Sequence, residues 1–346
     1  MTEIRVQSSG HVCSAIDDET VLDAALRQGL AFPYGCRNGF CGSCKGQLVS
    51  GDVTYGEELP GALSEEDVAE GVLLCCQARP LTDVVIDVEE LDPSKDIPIK
   101  TFPCKISRME RLNHDVMQLF LQFPESDSLQ FLAGQYLEIL LKDGEKRAFS
   151  IANAPHNNAL IELHIRHIDG GLFTDQLFAT LHEKDVLRIE GPMGGFYLRE
   201  NSERPIICMA GGTGFAPIKG VLEHLFESGS TRPVFFYWGV RSREDLYLHD
   251  LPEKWVTEHP GFRYIPVLSE PQDGDQWSGR RGFVHEAILE DFSDILEYDV
   301  YACGPPIMIN SGRAAFLARG LEANRFYADS FEYAHDEEKT KEDEIC

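Results

Sequence analysis

Three cysteines fall within nine residues, Cys36-x4-Cys41-x2-Cys44, and a fourth follows at Cys75 or Cys76. A compact loop supplying three thiolates, with one distant fourth, is the ligand spacing of a [2Fe–2S] cluster. Such a cluster moves one electron and breaks no bond in a substrate, so the pattern predicts electron transfer. Glycines interleave the loop, Tyr34-Gly-Cys-Arg-Asn-Gly-Phe-Cys-Gly-Ser-Cys44. They let the backbone curl so that its N–H groups face the sulfurs. A structural zinc site would ask for two close cysteine pairs, and only one Cys-x2-Cys pair is present. Spacing alone leaves Cys75 and Cys76 as alternatives for the fourth ligand.

A second element of chemistry sits in Ala210-Gly211-Gly212-Thr213-Gly214-Phe215-Ala216-Pro217. An apolar run precedes it and a helical pattern from about Pro217 follows it. Such a loop can cradle a pyrophosphate on backbone amides and the positive end of a helix. No nucleophile–base pair suggests hydrolysis. His164 and His167, on or beside a strand, read as packing or surface residues.

The elements that position these groups fall into three blocks. Residues 1–92 alternate like short strands, with one helical stretch at Thr20–Gln28 whose Val21, Leu22, Ala25 and Leu26 share a face. A linker over 93–100 follows, in the Pro-containing run Leu91–Pro98. Residues 101–200 carry closely spaced strand patterns at Gln118–Gln122, Tyr136–Leu141, Ile161–Ile165 and Val186–Glu190, which predict a small antiparallel barrel. Over 201–334 the strands Pro205–Ala210, Val234–Val240, Phe262–Leu268 and Asp299–Cys303 alternate with helices, the pattern of a parallel α/β domain. His335–Cys346, with six acids and two lysines, reads as a disordered acidic tail.

Composition narrows the function further. The formal net charge of −27 is opposed to nucleic-acid binding, which needs a basic face, and to an anionic membrane surface. Residues 1–91 hold 5 Lys/Arg against 16 Asp/Glu, a net −11, which suits steering toward a basic patch on a partner protein. The longest apolar runs are far too short to span a bilayer, and Met1–Val6 has no basic flank or apolar core of a signal peptide. Ten cysteines without the spacings of a secreted scaffold fit a reducing cytoplasm.

Taken in order, these motifs resemble the three-domain reductases that join a plant-type ferredoxin domain to ferredoxin–NADP reductase modules. Those reductases serve bacterial oxygenases and certain deoxysugar dehydrases. Cys76-Gln-Ala-Arg-Pro80 is similar to the ferredoxin segment whose fourth cysteine lies four residues before a proline. That likeness selects Cys36, Cys41, Cys44 and Cys76 as metal ligands and leaves Cys75 a core residue. Arg147-Ala-Phe-Ser150 resembles the family's Arg-x-Tyr-Ser flavin motif, with Phe149 in place of tyrosine. It implies Arg147 on a flavin phosphate, Phe149 against the ring and Ser150 at the N5 edge.

Gly170-Gly171-Leu-Phe-Thr174 resembles the second phosphate element, and Gly191–Phe196 the sharp turn that closes the barrel. The Gly211, Gly212, Thr213 and Gly214 loop is similar to the family's NAD(P) loop. Cys303-Gly304-Pro305 resembles its element beside the nicotinamide, and Tyr327–Phe331 the segment whose terminal aromatic covers the flavin. The resemblance therefore implies a multidomain fold: an α+β β-grasp ferredoxin, an antiparallel β-barrel flavin domain, and an α/β parallel-sheet NAD(P) domain. It implies a [2Fe–2S] cluster, FAD and NADH, with Ser150, Cys303 and Phe331 as catalytic residues. NADPH is the less favoured coenzyme. Arg241 and Arg243 after the strand Val234–Val240 could take a 2′-phosphate, but Glu244-Asp245 and the family's habit favour NADH. Electrons would run from NADH through FAD and the cluster to a protein acceptor, an oxygenase component or a CDP-deoxysugar dehydrase. A free-standing flavin or ferric reductase, and a redox-sensing module, are the alternatives.

Overall fold

The computed structural model describes residues 1–28, 30, 32–34, 39–90, 97–124, 129–142 and 144–331. Cys36, residues 93–96 of the expected linker and the acidic tail with Cys346 lie outside the described residues. Among the described residues three large sheets and one two-stranded ribbon carry the chain, matching the expected architecture.

The first sheet uses β1 (Thr2–Val6), β2 (Val12–Ala15), β3 (Lys45–Ser50), β5 (Val72–Leu74) and β7 (Val84–Asp87) in the order β2-β1-β7-β3-β5. Among its described pairings only β1–β7 is parallel; β4 (Val53–Thr54) and β6 (Arg79–Pro80) form a separate two-stranded ribbon. Helix α1 (Val21–Arg27) buries Val21, Leu22 and Ala25 with Ile4, Val6 and Ile86, as its spacing predicts. A short second helix, α2 (Glu65–Ala69), was not expected. Its start is set by Ser64, whose hydroxyl accepts from Asp67 N–H while the Asp67 carboxylate accepts from Ser64 N–H.

The second sheet contains β8 (Lys100–Arg111), β9 (Val116–Gln122), β10 (Tyr136–Leu140), β11 (Lys146–Ser150), β12 (Ile161–Arg166) and β13 (Val186–Met193), with α3 (Thr174–Ala179) between the last two. Its order β11-β10-β13-β8-β9-β12 is antiparallel throughout, and the Ile151–Leu163 bridge brings the two ends together. Alternate residues such as Ile106, Leu119, Leu137, Leu163 and Ile189 fill the barrel. Within the expected turn segment Gly191–Phe196, β13 continues through Met193, Gly194 takes a positive φ of 101° and the chain bends at Gly195.

The third sheet is wholly parallel. Its strands are β14 (Ile206–Gly211), β15 (Val234–Val240), β16 (Phe262–Leu268), β17 (Arg280–Arg281), β18 (Asp299–Gly304) and β19 (Phe326–Ser330), in the order β17-β16-β15-β14-β18-β19. Helices α4 (Phe215–Glu227), α5 (Asp250–Glu258), α6 (Val284–Asp291) and α7 (Pro306–Ala318) cover it. Along β14, Ile206, Cys208 and Ala210 join one core with α4 and α5, while Ile207 and Met209 join another with α6 and α7. A strand buried on both faces must be apolar at every position, which explains the uninterrupted run Ile206–Ala210. Helix α4 begins at Phe215, two residues before the expected start, because a 3-10 turn over Gly212–Gly214 feeds directly into it.

A buried polar network ties the barrel to α4. Lys219 Nζ donates to Glu162 Oε2 at 2.9 Å and to the Ala152 carbonyl at 3.1 Å, and pairs with Glu223 at 2.8 Å. Glu162 Oε1 also accepts from Gln118 at 2.7 Å and lies 2.8 Å from His164 Nε2, whose Nδ1 is 3.0 Å from the Tyr247 hydroxyl. Burial alone would push the Glu162 carboxyl up, but His164 and Lys219 reverse this and hold it at about 2. Burial pushes His164 below its ordinary value despite Glu162.

Both groups therefore take up protons less readily in the folded than in the unfolded chain, so acid favours unfolding. The His164 contribution is complete above about pH 6.5 and is lost below it. That of Glu162 is lost between about 4.5 and about 2. Lys219→Met leaves the Glu162 carboxylate buried without its cation and is expected to cost about 3–5 kcal/mol, read from urea midpoints at pH 7. A loss below about 1 kcal/mol would mean the network contributes little.

Candidate functional site

Cys41 and Cys44 come just before β3, and Cys75 and Cys76 directly follow β5. Cys41, Cys44, Cys75 and Cys76 are all buried. The Cys44 thiol stands well above its ordinary pKa, first because it hydrogen-bonds the Cys76 side chain, then because it is buried. Cys75 is fully enclosed, and burial pushes its thiol up to about 12, with the nearby Cys76 adding to the shift. Its N–H donates to the Cys44 carbonyl at 3.0 Å. Crowded thiols that resist ionisation are the donor set a metal centre relieves, since each thiolate then gains a cation. The Cys44 and Cys76 side chains hydrogen-bond to each other, and Cys44, Cys75 and Cys76 all belong to the core of the first domain.

The loop also touches the other two domains. Ser43 Oγ donates to the Ala328 carbonyl on β19 at 3.4 Å, and Arg313 Nη1 on α7 lies 3.5 Å from the Cys41 carbonyl. Gly195 N–H donates to the Tyr34 carbonyl, and Tyr34 packs with Tyr136 and Met193 of the barrel. A Cβ on Gly195 would stand 2.6 Å from Tyr34 N and 2.7 Å from Tyr34 O. Glycine is thus required where the loop seats on the barrel.

At the junction of barrel and parallel sheet, Ser150 ends β11 and donates to Asp329 Oδ2 at 3.3 Å. Asp329 lies opposite Cys303 in the β18–β19 register. Burial first, then the Asp329 charge, pushes the Cys303 thiol well up, so Cys303 stays neutral. Phe331 follows β19, half-buried, and its N–H donates to the Gly304 carbonyl at 2.9 Å. Ser150, Cys303 and Phe331 therefore share one neighbourhood. Asp329 at its centre was not among the predicted residues, although it lies inside the Tyr327–Phe331 segment.

Along β11, Arg147 and Phe149 share the face opposite Ser150, as period-two alternation requires. The Arg147 guanidinium sits 3.1 Å from Glu145 Oε2. Phe149 packs against Phe173, with centroids 5.4 Å apart, so part of its surface belongs to the barrel core. The Gly170-Gly171 turn leads into α3, whose first turn has no side-chain cap. The Thr174 hydroxyl donates to the Ile168 carbonyl at 2.9 Å and accepts from Ile168 N–H at 3.1 Å, so it shapes the loop. An arginine, backbone N–H groups and a hydroxyl are the donors a flavin diphosphate needs.

The Gly211–Gly214 loop lies at the C-terminal end of β14, the sheet edge where such folds bind ligands. A Cβ on Gly214 would stand 2.1 Å from the Cys303 carbonyl, so only glycine lets the loop meet the Cys303-Gly304-Pro305 segment. The Arg166 guanidinium of β12 closes on Gly212, and Trp238 Nε1 donates to the Gly212 carbonyl at 2.9 Å. Beyond β15, Asp245 accepts from Ser242 N–H at 3.1 Å and pairs with Arg241 at 3.5 Å, while Arg243 donates to the Asp275 carbonyl at 3.3 Å. No helix among the described residues is long and apolar enough to cross a membrane.

Residues 4–81 match the family model of the 2Fe-2S iron-sulfur cluster binding domain, 103–197 that of the oxidoreductase FAD-binding domain, and 208–313 that of the oxidoreductase NAD-binding domain. The chain is 40% identical over 328 residues to the CDP-6-deoxy-L-threo-D-glycero-4-hexulose-3-dehydrase reductase of Yersinia pestis, covering 95% of this chain and 98% of that protein. It is 38% identical over 335 residues to reductase component 1 of terephthalate 1,2-dioxygenase from Comamonas sp., covering 95% and 97%. Among solved structures, the Amycolatopsis cytochrome P450 reductase GcoB superposes with a TM-score of 0.79 at 32% identity, covering 97% of this chain and all of that one.

Proposed function

Since this chain belongs to the family of three-domain iron–sulfur flavoprotein reductases, we propose that it carries electrons from NADH to a protein acceptor, an oxygenase component or a CDP-deoxysugar dehydrase. One observation carries the relay. Ser43 of the cysteine loop reaches the Ala328 carbonyl, and the next residue, Asp329, accepts from Ser150 of the barrel. One strand, β19, thus links the cluster loop to the flavin and nicotinamide residues.

Cys36, Cys41, Cys44 and Cys76 would hold the [2Fe–2S] cluster. Arg147, Phe149, Ser150, Gly170, Gly171 and Thr174 would hold FAD, with Phe331 beside it. Gly211–Gly214 and Cys303–Pro305 would hold the coenzyme. When bound, the coenzyme supplies a hydride, the flavin converts an electron pair to single electrons, and the cluster carries them one at a time. Asp329 orients the Ser150 hydroxyl and, at 6% exposure, keeps that hydrogen bond away from water. The Gly214 contact holds the coenzyme loop against Cys303. Phe40, 49% exposed beside Cys41, offers an apolar contact on an acidic domain, a surface that suits a protein acceptor with a basic rim.

NADH is the preferred coenzyme in this reading. Arg241 is drawn toward Asp245, and Arg243 toward the Asp275 carbonyl, which leaves an acid-lined loop better matched to ribose hydroxyls than to a 2′-phosphate. Expected is a kcat/KM for NADH at least about tenfold that for NADPH, measured with a dye acceptor. Equal values would overturn the assignment.

The acceptor class is tested by crosslinking the NADH-reduced, tagged protein in source-cell lysate and identifying what is retained. An iron-containing oxygenase subunit or a pyridoxamine-phosphate dehydrase supports the proposal and chooses between its two arms. Retention of neither, with rapid reduction of free flavin, would assign a free-standing reductase.

A further inference from the structure

We propose that Arg313, contributed by helix α7 of the NAD-binding domain, is a charge partner of the iron–sulfur cluster and raises its reduction potential while the domains are docked. The inference rests on the assignment of Cys36, Cys41, Cys44 and Cys76 as cluster ligands. Arg313 is half-buried, its Nη1 lies 3.5 Å from the Cys41 carbonyl, and its guanidinium stands 5.7 Å over the Phe326 ring. The Cys41 thiol is also within its electrostatic reach.

Among the described residues no carboxylate pairs with it, although the neighbouring half-buried Arg325 pairs with Glu322 at 3.1 Å and Arg232 with Asp299 at 2.7 Å. A half-buried guanidinium without an anion is unfavourable, so Arg313 asks for a negative partner on the Cys41 side. A [2Fe–2S] centre held by four thiolates is that partner: a dianion when oxidised and a trianion when reduced. A fixed cation stabilises the trianion more, which moves the potential upward.

The Arg313 charge comes from another domain, so its effect depends on how the cysteine loop is seated. Docked against α7, the cluster is the better electron acceptor; lifted away, it is the better donor. Cys41 itself cannot supply this coupling, because its own domain carries it wherever the cluster goes.

The test is an anaerobic redox titration of the full-length holoprotein, following the cluster by EPR and visible absorbance with the flavin as internal reference. Arg313→Gln and Arg313→Met are expected to shift the reduced-to-oxidised ratio of the cluster roughly tenfold at a fixed potential, a 59 mV fall for one electron. The flavin potential should stay in place, and Arg313→Lys should keep the cluster close to wild type. An unchanged midpoint in both neutral variants, or a lysine variant that falls as far as they do, overturns the proposal. Wild-type protein without iron or cluster absorbance would instead overturn the ligand assignment beneath it.

Discussion

Replacing Cys41 with serine is expected to cut electron delivery to the protein acceptor by at least about 100-fold while NADH-driven dye reduction continues. Outer-shell partners of a metal centre already cost 10–100-fold when removed, and a ligand costs more. The sparing of dye reduction follows from the fold. Cys41 belongs to the first sheet domain, whereas Ser150, Asp329, Cys303 and the Gly211–Gly214 loop lie in the other two. The variant should lose iron and cluster absorbance and keep its flavin spectrum. Parallel loss of dye reduction would show that the three domains fold as one cooperative unit. Full delivery to the acceptor would show that the cluster is not on the path.

The second large effect concerns Gly195→Val. Its Cβ would be forced within 2.7 Å of Tyr34 backbone atoms, contacts no side chain tolerates, so the cysteine loop must lift from the barrel. Both cofactors keep their own ligands in this variant. Their spectra should be unchanged, while transfer from flavin to cluster slows by roughly 10²-fold, the scale on which a displacement of about 1 Å affects a positioned reaction. Rapid mixing with NADH separates the two steps, and wild-type transfer would mean that the Tyr34–Gly195 contact does not set the docking. Overpacking should also lower stability by about 1–3 kcal/mol.

Much of this was legible in the sequence where the signal is local. The cysteine spacing, the Gly211–Gly214 loop and the apolar runs Val234–Val240 and Phe262–Leu268 each describe a single segment, and both strands form where expected. Short capped elements were harder: α2 is set by a Ser64–Asp67 box without an apolar stripe, so periodicity does not reveal it. The contacts between domains were not legible at all. Ser43–Ala328 and Arg313–Cys41 join residues 285 and 272 positions apart, and no pattern within either segment announces the other. Lys219 and Glu162 were missed for a related reason. A charged residue inside a helix or strand reads as its solvent face, until its partner on the neighbouring domain is known.

The measurement that tests the relay most directly is anaerobic stopped-flow mixing of the holoprotein with NADH, watching flavin and cluster absorbance over a range of protein concentrations. The account predicts flavin bleaching first, then cluster reduction at a rate independent of protein concentration, because the electron moves within one chain across the Ser43–Ala328 contact. Cluster reduction that scales with protein concentration, or a cluster that stays oxidised while the flavin turns over, would contradict it.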